Sequence, residues 1–183
     1  HPNSYGFRPN RNAHQAVLQA QTYLNEGKTY VVELDLAKFF DVVNHDKLMS
    51  LLSRKIADKS TLKLIGKYLR SEMMADGVSS QRVSGTPQGS PLSPLLSNIL
   101  LNELDLELSK RGLSFVRYAD DCSIYVRSRK SAERVMSSIT KYIEEVLLLQ
   151  VNREKSKVGR PIRSTLLGFS FYKTKGKWRI HIA

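Results

Sequence analysis

Three aspartates stand where the surrounding sequence is apolar. Asp35 lies between Leu34 and Leu36 in a β-branched run, and Asp120-Asp121 fall between Val116 and Ile124. Burying ionised carboxylates without partners is expensive, so something must compensate them. A divalent cation does this best, because Asp side chains with backbone carbonyls and water form the oxygen ligand set of Mg²⁺. Two such ions ~3.5–4 Å apart stabilise both the attacking and the leaving oxygens of an in-line phosphoryl displacement. Adjacent aspartates on a tight hairpin send one side chain to each face, so only one of the pair need join Asp35 directly. An Asp pair at an ordinary turn and an Asp at a strand edge are the plainer alternatives, which the spacing leaves open.

Positioning those carboxylates requires strands. Tyr30–Leu36 reads as a buried strand interrupted by charge, and Phe115–Tyr118 and Cys122–Val126 read as a hairpin around Ala119-Asp120-Asp121. Apolar residues at helical spacing predict helices over Asn12–Asn25, Asp46–Ile56, Thr61–Leu69 and Ala132–Leu147. A long helix is expected over Leu95–Arg111, with Ser93 as its N-cap, Pro94 in its first turn and Gly112 ending it. Met73–Val83 is expected to form a hairpin turning at Asp76-Gly77, and Leu166–Tyr172 with Lys177–Ile182 a second, turning at Lys175-Gly176. Gly85–Pro94 packs two Gly and three Pro into ten residues and must be loop. This order suits an α+β fold with helices on one face of an antiparallel sheet.

Composition narrows the partners. The 183 residues carry a net charge of +12, and residues 153–183 alone hold nine basic residues and one acidic. A basic C-terminal quarter beside a slightly acidic N-terminal one suggests a surface for phosphates and a separate region using carboxylates. A single cysteine excludes an intramolecular disulfide framework and a multi-cysteine zinc site. The four histidines show no ligand spacing, and His45 is expected to hold its own loop by a hydrogen bond. No apolar run reaches the ~18–20 residues of a membrane span, so a cytoplasmic protein without a membrane partner is expected. The chain opens on His1 rather than Met, as a piece of a longer protein would.

Six blocks then occur in a recognisable order. Tyr118-Ala119-Asp120-Asp121 is preceded by VELDLAKFFDVVNHD (32–46) and GTPQGSPLSPLLSNILLNELD (85–105). It is followed by VNREKSK (151–157) and Leu167-Gly168-Phe169, while SYGFRPNRNAHQA (4–16) opens the series. In these words and this order the chain resembles group II intron-encoded reverse transcriptases, also called maturases. The resemblance covers essentially all 183 residues.

The resemblance implies a right-hand polymerase, with 1–29 a partial fingers segment and 30–183 the palm, holding an embedded fingers portion at about 47–84. Thumb, maturase and endonuclease regions would fall outside it. Asp35, Asp120 and Asp121 would be catalytic, with two Mg²⁺ held by Asp35, Asp120 and the Leu36 carbonyl, and Asp121 in support. Phe40 would exclude a 2′-hydroxyl; Pro87, Gln88 and Gly89 would lie against the incoming nucleotide. Arg8 and Lys155 would meet its phosphates, with Lys157 a competitor for the pyrophosphate. Lys173, Lys175, Lys177, Trp178 and Arg179 would touch nucleic acid. The implied partners are an RNA template (group II intron RNA), a DNA primer and dNTPs, in a bacterial cytoplasm or an organelle; a homodimer stays open. The implied activity is RNA-directed DNA polymerisation, tied to splicing and mobility of the intron. A retron, diversity-generating or CRISPR-associated reverse transcriptase, or a non-catalytic splicing factor, is the alternative.

Overall fold

A computed structural model describes residues 1–75, 78–81, 84–86 and 91–183. Its centre is a four-stranded antiparallel sheet in the order β4-β5-β1-β6, formed by β1 (Tyr30–Leu34), β4 (Ser114–Tyr118), β5 (Asp121–Val126) and β6 (Lys157–Gly159). The period of two along β1 sends Val32 and Leu34 to one face and Val31 to the other, and all three are buried. Both faces must therefore be covered.

The first face carries the expected helices: α3 (His45–Ser53), α4 (Lys59–Leu69), α5 (Leu92–Lys110) and α6 (Arg129–Glu145). Their apolar residues, among them Leu48, Leu69, Leu100, Leu104 and Ile139, pack with Phe115 and Ile124 into the larger core. The second face is covered as well, by α1 (Ala13–Asn25) and by a separate three-stranded sheet of β7 (Thr165–Leu166), β8 (Phe169–Thr174) and β9 (Lys177–Ile182). α1 starts where the sequence supplies a capping box. Asn12 Oδ1 accepts from the Gln15 amide at 2.9 Å, and Gln15 Oε1 accepts from the Asn12 amide at 3.1 Å. Its buried residues are Ala16, Val17, Ala20 and Leu24, one helical stripe.

Three local expectations shift. The long helix begins at Leu92, not Leu95, with Pro91 at the cap position and no side-chain cap. Pro94 still fits, because amides in the first turn have no intrahelical partner to lose. Ser93 takes a tertiary role instead, its hydroxyl lying 3.0 Å from the Tyr68 hydroxyl. The stretch Leu166–Tyr172 is not one strand. Leu167 (φ 53°) and Gly168 (φ 82°) make a two-residue turn joining β7 to β8, as Lys175 (φ 46°) and Gly176 (φ 78°) join β8 to β9. Positive φ at both central positions matches the twist of antiparallel strands. Finally, a short helix α2 (Phe39–Val42) follows Lys38, whose φ of 46° turns the chain sharply after β1. The expected hairpin is present as β2 (Glu72–Ala75) paired with β3 (Val78–Gln81); its turn at Asp76-Gly77 lies outside the described residues.

Candidate active site

Asp35 follows directly on β1, and its backbone is fixed from a distant part of the chain. The Asp35 amide donates to Ser156 Oγ at 3.0 Å, and the Asp35 carbonyl accepts from the Asn152 amide at 2.9 Å. Ala37 donates to the Gln150 carbonyl at 2.8 Å, so Leu36 and Val151 face each other as an antiparallel bridge. The loop that does this is itself folded. Asn152 Oδ1 accepts from the amides of Glu154 and Lys155 at 3.2 and 3.3 Å, and Ser156 donates to the Asn152 carbonyl at 2.8 Å. Lys155 is thereby presented beside Asp35.

The paired aspartates come from the β4–β5 hairpin. Tyr118 pairs with Asp121, so Ala119 and Asp120 form a two-residue turn, with Ala119 at φ 56°. β1 runs antiparallel to β5 with Glu33 opposite Ser123 and Leu34 opposite Cys122. One further step in that register sets Asp35 across from Asp121, on the face shared by Glu33 and Ser123. Two clefts meet at this point. One, of about 500 Å³, is lined by Asp35, Leu36, Phe40, Asp120, Asn152 and Lys155 among others. The other, of about 160 Å³, is lined by Asp35, Asp121, Lys155, Glu33 and the β7 residues Thr165 and Leu166, with Leu167 beyond them.

Phe40 reaches the larger cleft because Phe39 is buried and the two rings pack edge to face, 5.3 Å between centroids. The short helix bearing them is pinned from the other side. Thr86 donates to the Phe40 carbonyl at 2.6 Å, and Gly85 donates to the Val43 carbonyl at 2.8 Å. A Cβ on Gly85 would lie 2.7 Å from the Phe40 and Asp41 carbonyl oxygens, so the approach requires glycine. His45, as expected, secures its loop: Nε2 donates to the Gly85 carbonyl at 2.6 Å.

Negative charge accumulates here. The Asp121 carboxyl is raised above its ordinary value by desolvation in the crowded cleft, then by the charges of Asp120, Asp35 and Glu33; Lys155 opposes them. Glu33 Oε2 pairs with Lys157 at 3.2 Å, whereas its Oε1 is buried with no hydrogen-bond partner among the described residues. Cys122, between Asp121 and Ser123, is buried, and burial pushes its thiol up to about 12, so it stays protonated and serves as a small core residue. Among the described residues no group of three or more His, Cys, Asp and Glu side chains closes into a metal cage.

The sequence pattern of the family described as Reverse transcriptase (RNA-dependent DNA polymerase) matches residues 1–171. The chain belongs to this family. Among relatives, it is 32% identical over 196 aligned residues to Protein YkfC of Escherichia coli (strain K12), covering 86% of this chain and 51% of the relative. It is 38% identical over 114 residues to the group II intron-encoded protein LtrA of Lactococcus lactis subsp. cremoris, covering 62% and 19%. The chain thus spans about half the length of the first and about a fifth of the second. Among solved structures, apo telomerase from Candida tropicalis truncated from its C-terminal domain superposes with a TM-score of 0.72. The identity is 16%, over 98% of this chain and 41% of that one, a likeness of fold. Together the family match and the structural likeness show a reverse transcriptase with a right-hand polymerase fold.

Reverse transcriptases depend on divalent metal ions. The donors present fit that dependence: hard carboxylate oxygens in an open arrangement, with the Asp121 carboxyl raised by desolvation and then by its neighbours' charges. An open set suits a cation that takes its remaining oxygens from substrate phosphates and water.

The reverse transcriptase fold gathers Asp35, Leu36, Phe40, Asp120, Asp121 and Lys155, and separates others expected beside them. Lys157 points elsewhere, paired with Glu33 and lining a different cleft. Arg8 is not at the carboxylates. Its Nη1 donates to the Ser4 carbonyl at 2.9 Å and to the His1 carbonyl, and it lines a separate cavity between the N-terminal segment, α3 and α5. Trp178 is 8% exposed and belongs to the second core. Its amide donates to Asn25 Oδ1 at 2.9 Å and its carbonyl accepts from Gln21 Nε2 at 2.9 Å, so it packs the C-terminal sheet onto α1. The alternation along β9 that buries Trp178 turns Lys177 and Arg179 outward, and both are exposed, as are Lys173 and Lys175. Of the two turns in the C-terminal sheet, Leu167-Gly168 supplies a lining residue, Leu167, to the cleft of Asp35 and Asp121. Pro87, Gln88 and Gly89 lie outside the described residues. Sequence reasoning passed over Asn152 and Ser156, although an Asn whose side chain bonds the backbone two residues on is a recognisable turn signal. It also passed over Arg117 and Asp105, a charged residue in an apolar strand and another in a leucine stripe. No described helix is long and apolar enough to cross a membrane.

Proposed function

We propose that the chain is the catalytic core of an RNA-directed DNA polymerase of the group II intron type, adding dNTPs to a primer 3′-hydroxyl on an RNA template. The observation that carries this reading is that Asp35 and Lys155 line two adjoining clefts, one with Asp120 and the other with Asp121, from three separate parts of a reverse transcriptase chain. Asp35, Asp120 and the Leu36 carbonyl would hold two Mg²⁺, with Asp121 in support. When bound, these ions supply charge neutralisation for the attacking hydroxyl and the departing pyrophosphate.

The chain's own groups do the positioning. Asp35 is immobilised through its amide and carbonyl by Ser156 and Asn152. Lys155 would neutralise or protonate the leaving phosphate, and the pairing of Lys157 with Glu33 favours Lys155 over Lys157 for that role. Phe40, in the same cleft, is placed to exclude a 2′-hydroxyl. Residues 1–29 are read as part of the fingers and 30–183 as palm, with 47–84 embedded fingers. Lys173, Lys175, Lys177 and Arg179 form the exposed cationic edge for the nucleic-acid backbone. Intron RNA is the implied template, and splicing belongs to the whole protein.

Primer extension with an RNA template, a DNA primer, dNTPs and Mg²⁺ tests the reading. Extension by the parent and its loss in Asp35→Ala and Asp120→Ala are expected; Asp120→Ala extending as well as the parent refutes the assignment.

A further inference from the structure

Among the described residues the largest fully buried side chain is charged. Arg117, the penultimate residue of β4, is 1% exposed, and its partner Asp105 on α5 is 0% exposed. The pair is bidentate, Nε and Nη2 each donating to an Asp105 oxygen at 2.7 Å. Replacing such buried pairs by apolar residues is often neutral or stabilising, so stability by itself is a weak reason for one.

The other donors suggest a better reason. Nη2 also donates to Ser4 Oγ at 2.8 Å. Nη1 donates to Asn98 Oδ1 at 3.0 Å and to the Ala119 carbonyl at 2.7 Å. All five guanidinium N–H groups are thus used, and only two of them on Asp105. The fifth bond falls on the turn residue immediately before Asp120, in a left-handed conformation that L-residues adopt reluctantly.

The N-terminal segment closes on the same turn. Arg117 donates its amide to the Asn3 carbonyl at 2.9 Å, and its carbonyl accepts from Tyr5 at 2.8 Å, so the segment runs beside β4. Asn98 Nδ2 donates to the Gly6 carbonyl at 3.0 Å. A Cβ on Gly6 would lie 2.3 Å from the Ala119 nitrogen, so only glycine allows the backbones this close.

We infer that Arg117 is a positioning residue for the reaction: anchored by Asp105, Ser4 and Asn98, it fixes the Ala119-Asp120 turn, and with it Asp120, while Gly6 clamps that turn from outside. The inference deepens the polymerase reading and rests on it for its kinetic consequences. A rigid turn matters because small misplacement of a reacting group is costly, up to about a hundredfold in rate for 1 Å.

Two variants approach the turn by different routes. Arg117→Met with Asp105→Leu removes the clamp and leaves no uncompensated charge, and Gly6→Ala presses on Ala119 without touching the ion pair. Both are expected to lower the saturated extension rate by about tenfold or more, with the dNTP KM within about twofold of the parent. The half-saturating divalent-metal concentration should rise severalfold. Amide hydrogen exchange over residues 118–122 should quicken, while exchange in α6 stays as in the parent. If Gly6→Ala keeps the parent's rate, metal dependence and exchange at the turn, the inference is overturned, whether or not the double variant folds. A parent that does not extend primers defeats the polymerase reading instead. Turn exchange and binding of Mn²⁺ alone, compared between parent and variants, then still decide the positioning role.

Discussion

The Asn152 amide donates to the Asp35 carbonyl at 2.9 Å, joining two residues 117 positions apart. Through this bond and the Ser156 contact, the strand end bearing a carboxylate and the loop bearing Lys155 form one unit. The cation and the anion that line one cleft are held in register by hydrogen bonds to their main-chain groups.

Asn152→Ala should therefore damage catalysis more than folding. The side chain's two weak bonds to Glu154 and Lys155 are worth about 1 kcal/mol together. Loss of Lys155 placement should lower the extension rate by about tenfold. Chemical denaturation beside single-turnover kinetics tests this; a large stability loss with an unchanged rate would reverse the assignment.

Asp121 makes a pH prediction. Its carboxyl is raised by desolvation and by Asp120, Asp35 and Glu33, so the folded protein favours the protonated form. The contribution to stability is full below the ordinary carboxylate value of 3.8 and is lost as pH rises through the folded-state value. In chelator near neutral pH, Asp121→Asn should unfold ~1–2 °C higher than the parent. The advantage should vanish below about pH 3.5, where both states are protonated. Calorimetry across that range decides the matter, and a variant less stable than the parent at neutral pH contradicts the crowding described.

Phe40→Ala should open the cleft beside Asp35 and Asp120. Ribonucleotide use relative to deoxyribonucleotide use is expected to rise about 10- to 100-fold, the range available to a steric contact. Competition between rNTP and dNTP in primer extension measures it, and an unchanged ratio removes Phe40 from sugar selection.

The C-terminal hairpin should separate into a packing residue and a binding edge. Trp178→Ala is expected to cost about 3–5 kcal/mol, because the ring fills the core between α1 and β8–β9. Neutralising Lys173, Lys175, Lys177 and Arg179 should leave stability within about 0.5 kcal/mol. It should weaken binding of an RNA–DNA duplex, with the salt slope falling by about 1 for each phosphate no longer neutralised. Salt-dependent binding isotherms and denaturation curves on both variants test the division, and it is wrong if the quadruple change leaves the slope untouched.

By itself the sequence determined the α+β class, the carboxylate-bearing strands and the Lys175-Gly176 turn. These follow from local rules: β-branched, apolar residues along Tyr30–Leu34, a Gly at a tight turn, and apolar stripes on helices. It also marked Asp35 and Asp120-Asp121 as costly in their surroundings, which is a local property too. Only the tertiary structure decided which groups share a cleft. Strand register brings Asp35 to Asp121 across the chain, and a one-residue slip would put them on opposite faces. Lys155 and Lys157 are alike in sequence, yet the Asn152 turn aims one at the carboxylates and Glu33 captures the other. Trp178 and Arg179 are neighbours whose alternation buries one and exposes the other, and its sense is set by what α1 covers. Arg117 reads as one more basic residue until α5, the N-terminal segment and the β4–β5 turn close around its five donors. Such contacts join residues that are distant along the chain, so no window of sequence contains them.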